Sequence, residues 1–239
     1  MTAIEHQSDS ARVLVIMAKA PRTGSVKTRL TGSLSPTAIT DFYRCLLDDT
    51  LALVLSLKDV AVAIVCPASD VDELGGMAGS GVRVVAQNGE GLAAGLTSVF
   101  AHFTGKNRRR VIAFNSDSPH LPASVLEGAF ETLATHDAVV GPTHDGGYYL
   151  VGARDSYPTL FVHDGMGTSS ALDRLLSRAR TLGLSVGFAP SFYDIDVVDD
   201  LTRLADELRL NPHRAPRTAE WLKQWEVASA RLQTGTEQM

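Results

Sequence analysis

Four cations fall within eleven residues near the start of the chain: Lys19, Arg22, Lys27 and Arg29. They follow an apolar run, Val13 to Met17, and are interrupted by Pro21 and Gly24. Backbone N–H groups and cationic side chains that converge at the end of a buried strand make a site for phosphate. Neither G-x-x-x-x-G-K-[ST] nor G-x-G-x-x-G is present, so this is neither a Walker loop nor a dinucleotide fingerprint. Asp117 follows a second buried run, Val111 to Phe114, and Asp194 and Asp196 follow a third, Ser185 to Ala189. Carboxylates facing a cationic phosphate loop suit Mg²⁺ or Mn²⁺, hard ions that take one or two carboxylates plus substrate phosphates. Asp117 and Asp196 are the metal candidates. Asp194 orients the turn or reaches the metal through water. The chemistry this predicts is displacement at a phosphate or departure of a nucleoside diphosphate, with the cations stabilising charge on the leaving phosphates.

A second substrate would meet the loop His144-Asp145-Gly146-Gly147-Tyr148-Tyr149. Paired glycines let backbone approach a ligand closely, and Asp145 can accept hydrogen bonds from hydroxyls. Tyr148 and Tyr149 alternate in direction, so one at most faces the site. His144 is open between a hydrogen-bonded loop histidine and a proton carrier. The helix start at Gly167-Thr168-Ser169 offers a second anion position or plain capping. Gln87-Asn88-Gly89-Glu90-Gly91 is either a plain turn or part of the ligand edge, since it lies between a strand and a helix.

These loops need a scaffold, and the periodicities supply one. Apolar runs at 12–17, 60–65, 82–86, 111–114, 139–140, 148–151 and 185–189 read as strands. Helical spacing is predicted over about 35–58, 92–103, 123–135, 168–182, 198–210 and 217–231. Ser35-Pro36 is a helix start, with Ser as cap and Pro at the first position. The stretch with Gly75, Gly76, Gly79 and Gly81 reads as a loop. Alternation of strand and helix predicts an α/β three-layer αβα sandwich, Rossmann-like, with a mostly parallel sheet. The divisions expected are a flexible leader at 1–11, one domain at 12–210, and a C-terminal helix and tail at 211–239. Trp221 and Trp225 lie four apart on that helix, which docks on the body or on a partner; a homodimer is compatible with this.

The totals agree. The chain has 239 residues, 44% hydrophobic and 21% charged, with a formal net charge of −5. A basic loop on an acidic background argues for a local anion site and against a nucleic-acid binder. Cys45 and Cys66 have no metal or disulfide spacing. No apolar run reaches membrane length, and residues 1–10 lack a signal-peptide core. The expectation is a cytoplasmic protein without a membrane or nucleic-acid partner.

The motifs Lys19-x-Pro21-x-x-Gly24-x-x-Lys27-Thr28-Arg29-Leu30, Ser116-Asp117-x-Pro119, Asp145-Gly146-Gly147-Tyr148-Tyr149 and Asp194-x-Asp196-x-x-Asp199-Asp200-Leu201 occur in this order. Over roughly residues 12–208 the chain resembles the DUF2064 family of the glycosyltransferase-A (nucleotide-diphospho-sugar transferase) superfamily. It is similar in layout to 2-phospho-lactate guanylyltransferase and, more distantly, to molybdenum-cofactor guanylyltransferase. The resemblance implies a GT-A sheet with nucleotide at its N-terminal half. It also implies phosphate contacts from Lys19, Gly24, Lys27 and Arg29, and Mg²⁺ at Asp117 and Asp196. Pro21, Thr28 and Gln87 complete the expected nucleotide site, Lys27, Arg29 and Asp117 the catalytic set. Asp145, Gly146, Gly147, Tyr148, Thr168 and Ser169 form the expected acceptor side. The loop departs from the G-G-x-G-T-R of sugar nucleotidyltransferases, and Val197-Val198 stands where Thr-Pro is common.

The leading expectation is a Mg²⁺-dependent nucleotidyltransferase that joins an NTP to a small phosphorylated or phosphonate acceptor and releases pyrophosphate. The alternative is a glycosyltransferase with a nucleotide-sugar donor, against which the lack of a full D-x-D around Asp117 counts. A third is a catalytically silent nucleotide binder.

Overall fold

A computed structural model describes residues 10–105, 109–162 and 168–236. Most of the expected leader, residues 106–108, residues 163–167 (with Gly167 of the expected anion position) and the last three residues lie outside these. The elements are β1 (Arg12–Met17), α1 (Pro36–Leu55), β2 (Ala61–Cys66), α2 (Val71–Ala78), β3 (Arg83–Ala86), α3 (Gly91–Phe103) and β4 (Arg110–Asn115). There follow α4 (Ala123–Thr135), β5 (Ala138–Pro142), β6 (Tyr148–Ala153), α5 (Ala171–Thr181), β7 (Val186–Phe188), α6 (Val198–Leu210) and α7 (Pro216–Thr236).

The seven strands form one sheet in the order β3-β2-β1-β4-β6-β5-β7. All neighbours run parallel except β6, which is antiparallel to both β4 and β5. The mostly parallel αβα architecture is thus as expected. One expected loop is a helix instead: α2 forms despite Gly75 and Gly76, with Asp72 and Glu73 in its first turn and Leu74 buried beneath it. Acidic groups at a helix N-terminus complement its dipole, and burial of Leu74 offsets the glycine penalty of about 1 kcal/mol each.

Side chains of β1 alternate between two cores, as a strand requires. Leu14 and Ile16 join Leu47, Val54, Ile64, Phe114, Phe130 and Tyr149 on one face. Val13 and Val15 join Leu96, Val99, Phe100, Val111 and Leu175 on the other. A third cluster positions the site. It packs Val26 and Leu30 of the basic loop against Phe42 and Leu46 of α1, Ile195, and Leu201 and Leu204 of α6. Leu30 and Ile195 are fully buried. Each burial is worth about 1.5–3 kcal/mol, so the loop that carries Lys27 and the loop that carries Asp196 are fixed to one another.

The last helix docks on this third cluster. Asp49 of α1 caps it, accepting hydrogen bonds from the backbone N–H groups of Thr218 (2.8 Å) and Arg217 (3.3 Å). The Trp221 ring packs on Phe42 at 4.7 Å and stacks with Trp225 at 6.3 Å. Trp221 therefore faces the body. Among the described residues, no helix is long and apolar enough to cross a membrane.

Candidate functional site

Met17 pairs with Asn115 at the carboxyl ends of the adjacent parallel strands β1 and β4. The basic loop and the Asp117 loop therefore leave the sheet side by side. The basic loop is braced at its start. Ala20 N–H donates to Asp70 Oδ2 at 2.9 Å. Arg22 reaches Asp70 Oδ1 at 2.8 Å, Glu73 Oε2 at 2.9 Å and the Ser69 carbonyl at 2.9 Å. Burial raises the Asp70 pKa, but the bonds from Ala20 and Ser69 and the Arg22 charge outweigh it and hold the carboxyl below its usual range. Arg22 is thus a structural brace, whereas Lys19 and Arg29 are exposed and Lys27 is turned inward.

Gly24 has φ 78, a conformation that suits glycine. Lys27 is left-handed too, at φ 46 and ψ 40, and starts the short helical turn Thr28–Leu30. For a residue with a Cβ this costs about 1–2 kcal/mol. The backbone is held there by Val26 and Leu30, buried on either side of it. The result aims Lys27 Nζ between two carboxylates. It lies 2.7 Å from Asp117 Oδ2 and 3.0 Å from Asp196 Oδ1, with its side chain only 5% exposed. Burial lowers the ammonium pKa, yet the charges of Asp117 and Asp196 overcome this and raise it. Arg29 Nη1 takes the other oxygen of Asp196 at 2.9 Å.

Asp194 is half-buried beside this cluster. Burial, then the Asp196 and Asp117 charges, push its pKa up to about 6, against the pull of Lys27. Asp200 caps α6 by accepting from the N–H groups of Asp196 (2.9 Å) and Val197 (2.8 Å), which fixes the Asp196 backbone. The charges within Asp194–Asp200 thus divide into a half-buried carboxylate, an ion-paired one and a cap.

Within electrostatic reach of Arg29, Asp145 Oδ1 accepts from Thr143 Oγ1 at 2.5 Å and Gly147 N–H at 3.1 Å. The Thr143 bond lowers its pKa against a raising effect of burial, and the Arg29 charge adds to the lowering. The glycines of this loop make room for the protein itself. A Cβ on Gly146, at φ 86, would stand 2.0 Å from the Ser169 carbonyl oxygen, and one on Gly147 would stand 2.8 Å from Thr143 Oγ1. Leu172 N–H donates to the Gly146 carbonyl at 3.0 Å, so the loop is laid against the start of α5. The cap position of that helix is Ser170, just beyond the expected start at Thr168 and Ser169. Thr168 Oγ1 lies 3.0 Å from Ser170 Oγ. Both tyrosines pack: Tyr149 is buried and its hydroxyl donates to the Pro190 carbonyl at 2.8 Å, and Tyr148 packs partly buried on the opposite face. Gln87 Nε2 donates to the carbonyls of Gly89 (2.8 Å) and Gly91 (3.4 Å), shaping its own loop at the end of β3.

Of the residues singled out in the sequence, Lys27, Arg29, Asp117 and Asp196 are in direct contact, with Asp145 within electrostatic reach of Arg29. Lys19, Pro21, Gly24 and Thr28 belong to the same loop, Pro21 buried and the other three exposed. Gln87 lies on the sheet edge at β3, and Thr168 and Ser169 lie beside Gly146. Sequence reasoning passed over Tyr43. This phenol, 4% exposed, touches both loops, and burial followed by the Asp117 charge pushes its pKa up to about 12. The signal was a tyrosine on the apolar stripe of α1, since a buried hydroxyl demands partners.

The donor set fits a hard divalent cation. Asp117 and Asp196 present oxygens to one point, occupied here by Lys27 Nζ. Among the described residues, no group of three or more His, Cys, Asp or Glu forms a metal site. Two carboxylates with remaining positions open to phosphate oxygens is an arrangement Mg²⁺ commonly uses.

Comparison with known proteins agrees with this architecture. Residues 50–168 match the family model of DUF2064, described as an uncharacterized protein conserved in bacteria. The resemblance drawn from the motifs is borne out, and the matched segment carries Asp117 and the Asp145 loop. A Desulfovibrio desulfuricans protein, described as a candidate nucleotide-diphospho-sugar transferase, is similar at 27% identity and a TM-score of 0.82. The match covers 91% of this chain and 96% of that one. A 4-diphosphocytidyl-2C-methyl-D-erythritol synthase from Anaerococcus prevotii shares the fold at 13% identity and a TM-score of 0.56, over 87% of this chain and 98% of that one. A Methanothermobacter nucleotidyl transferase does so at 16% identity and a TM-score of 0.55, over 84% and 99%. No curated protein matches the chain.

Proposed function

We propose that this protein is a Mg²⁺-dependent nucleotidyltransferase that joins a nucleoside triphosphate to a small phosphorylated or phosphonate acceptor. An acceptor oxygen attacks the α-phosphorus, the bond to the β-phosphate bridging oxygen breaks, and pyrophosphate leaves. The observation that carries this reading is Lys27 Nζ held 2.7 Å from Asp117 and 3.0 Å from Asp196, with Arg29 on the same Asp196. Cations and carboxylates at one point are what a metal-bound polyphosphate needs.

In this reading Lys19, Lys27 and Arg29 hold the phosphates, with Gly24 and Thr28 supplying backbone and Pro21 shaping the loop. Asp117 and Asp196 would hold the divalent ion, which when bound neutralises charge on the phosphate oxygens. Gln87 stands on the nucleoside side of the sheet edge. Asp145, Gly146, Gly147, Thr168 and Ser169 would form the acceptor wall, with Tyr148 anchoring the loop by packing on the core beneath it and Asp145 offering the acceptor for a hydroxyl. Catalysis by positioning and electrostatics requires little more of the chain.

A second reading is favoured by one observation. The Desulfovibrio protein of similar fold is described as a nucleotide-diphospho-sugar transferase candidate. A glycosyltransferase would use the same phosphate loop to stabilise a departing nucleoside diphosphate. The two are separated by a thermal-shift panel with Mg²⁺, four NTPs, dTTP and common UDP-, GDP-, ADP- and dTDP-sugars. A ligand at a hundred times its dissociation constant adds about 2.7 kcal/mol to stability, a readily visible shift. The proposal expects one NTP to stabilise most; a nucleotide-sugar winning clearly overturns it in favour of glycosyl transfer.

A further inference from the structure

Tyr43 stands where the two halves of the site meet. Its hydroxyl accepts a hydrogen bond from the Lys19 backbone N–H at 3.2 Å. It donates to the Lys19 carbonyl at 3.2 Å and lies 3.0 Å from Ser116 Oγ. Ser116 Oγ in turn donates to Asp117 Oδ1 at 3.1 Å. Proton counting fixes one of these bonds. A carboxylate only accepts, so the single Ser116 proton goes to Asp117. Ser116 Oγ is then left to accept from Tyr43, whose single proton has both Ser116 Oγ and the Lys19 carbonyl within reach. Lys19, Tyr43, Ser116 and Asp117 are thus joined in one buried hydrogen-bonded network, in which each bond polarises its neighbours. Tyr43 and Ser116 are both 4% exposed. Thr50 Oγ1 also holds the loop, donating to the Ser116 carbonyl at 3.3 Å.

We infer that Tyr43 and Ser116 are positioning residues that orient the Asp117 carboxylate for the divalent ion and couple it to the phosphate loop at Lys19. Asp117 has two oxygens, and the structure gives them different neighbours. Oδ2 meets Lys27, at the point where Asp196 also converges, whereas Oδ1 takes the Ser116 hydroxyl. The relay therefore fixes the carboxylate plane from behind and leaves the inner oxygen aimed into the site. Because the same phenol is bonded to Lys19, a shift of the phosphate loop is felt at Asp117, and ion and phosphate binding are coupled through it. This inference rests on the proposed metal role of Asp117.

The test uses Mn²⁺ and inorganic pyrophosphate as probes, which need neither base nor acceptor to be known. Free Mn²⁺ is followed by electron paramagnetic resonance while it is titrated into the full chain, with and without pyrophosphate. Tyr43→Phe, which removes one oxygen, and Ser116→Ala are each expected to weaken Mn²⁺ binding about tenfold, the usual effect of losing a partner behind a metal ligand. The enhancement of Mn²⁺ affinity by pyrophosphate should shrink in both, and the double variant should be no worse than the more affected single one. A melting temperature near that of the wild type separates this from general loosening. Variants that bind Mn²⁺ and pyrophosphate like the wild type overturn the relay alone. A wild type that binds neither probe overturns the proposed function and the relay with it.

Discussion

Lys27 is the residue on which the account turns, and its conformation is not one the sequence advertises. A left-handed lysine is held between two aspartates by hydrophobic neighbours, not by its own preference. That lysine neutralises a cluster that includes Asp117, Asp196 and the half-buried Asp194. Lys27→Met should leave the carboxylates facing one another with only Arg29, on the outer oxygen of Asp196, as a counter-ion. The expected loss of stability is about 1–2 kcal/mol, discounted because Asp117 and Asp196 keep 23% and 34% of their surface exposed. Millimolar Mg²⁺ without nucleotide should raise the melting temperature of this variant more than that of the wild type, because the ion then meets no competing ammonium. Equal shifts in the two proteins would count against convergence of the carboxylates on a cation position. The types and order of Lys27, Asp117 and Asp196 were legible because each follows a buried run. Their meeting at one atom was not, since 90 and 169 residues separate the partners. Tyr43 was hidden for the same reason, its Ser116 partner lying 73 residues away.

At the scale of elements, the helices and most strands follow from apolar spacing and from caps such as Ser35, whose side chain accepts from Ala38 N–H at 3.2 Å. What spacing could not give was orientation. The reversal of β6 comes from the short 143–147 connection after β5, which turns the chain back beside it instead of crossing over a helix. Helix α2 was obscured by Gly75 and Gly76, whose weak propensity is overridden by tertiary packing. The docking of α7 also depends on a distant group, Asp49, buried in α1. Replacing Asp49 with Ala should strip the cap from two backbone N–H groups. The expected cost is about 1–2 kcal/mol, with a red shift of tryptophan emission as Trp221 and Trp225 lose their packing. Unchanged emission and melting temperature would show that α7 is held by its apolar face alone.

For the whole molecule, one buried histidine makes stability depend on pH. His120 is 1% exposed, between the rings of Phe192 (4.8 Å) and Tyr193 (4.9 Å), and neither ring nitrogen has a hydrogen-bond partner among the described residues. Burial, reinforced by the charges of Arg203 and Arg214, pushes its pKa down to about 3, with Glu207 3.9 Å away. The unfolded chain takes up this proton near its ordinary value, about 6.5, while the folded chain resists it. Stability from this group is therefore complete above about pH 6.5 and is lost as the pH falls from there toward about 3. A series of melting curves from pH 8 to pH 4 should show a decline that His120→Phe flattens. Parallel declines in both proteins would assign the effect to other groups. The net charge of −5 places the basic loop in an otherwise acidic molecule, so the proposed polyphosphate binding is expected to be confined to that edge of the sheet.

That confinement is tested most directly by calorimetric titration of the best-stabilising triphosphate into the wild type and Asp117→Asn, each with Mg²⁺ and with chelator. The account predicts that Mg²⁺ tightens binding to the wild type at least tenfold, and that Asp117→Asn removes this gain while the fold is kept. Binding of equal strength in all four titrations would contradict a metal-bound polyphosphate at Lys27, Asp117 and Asp196.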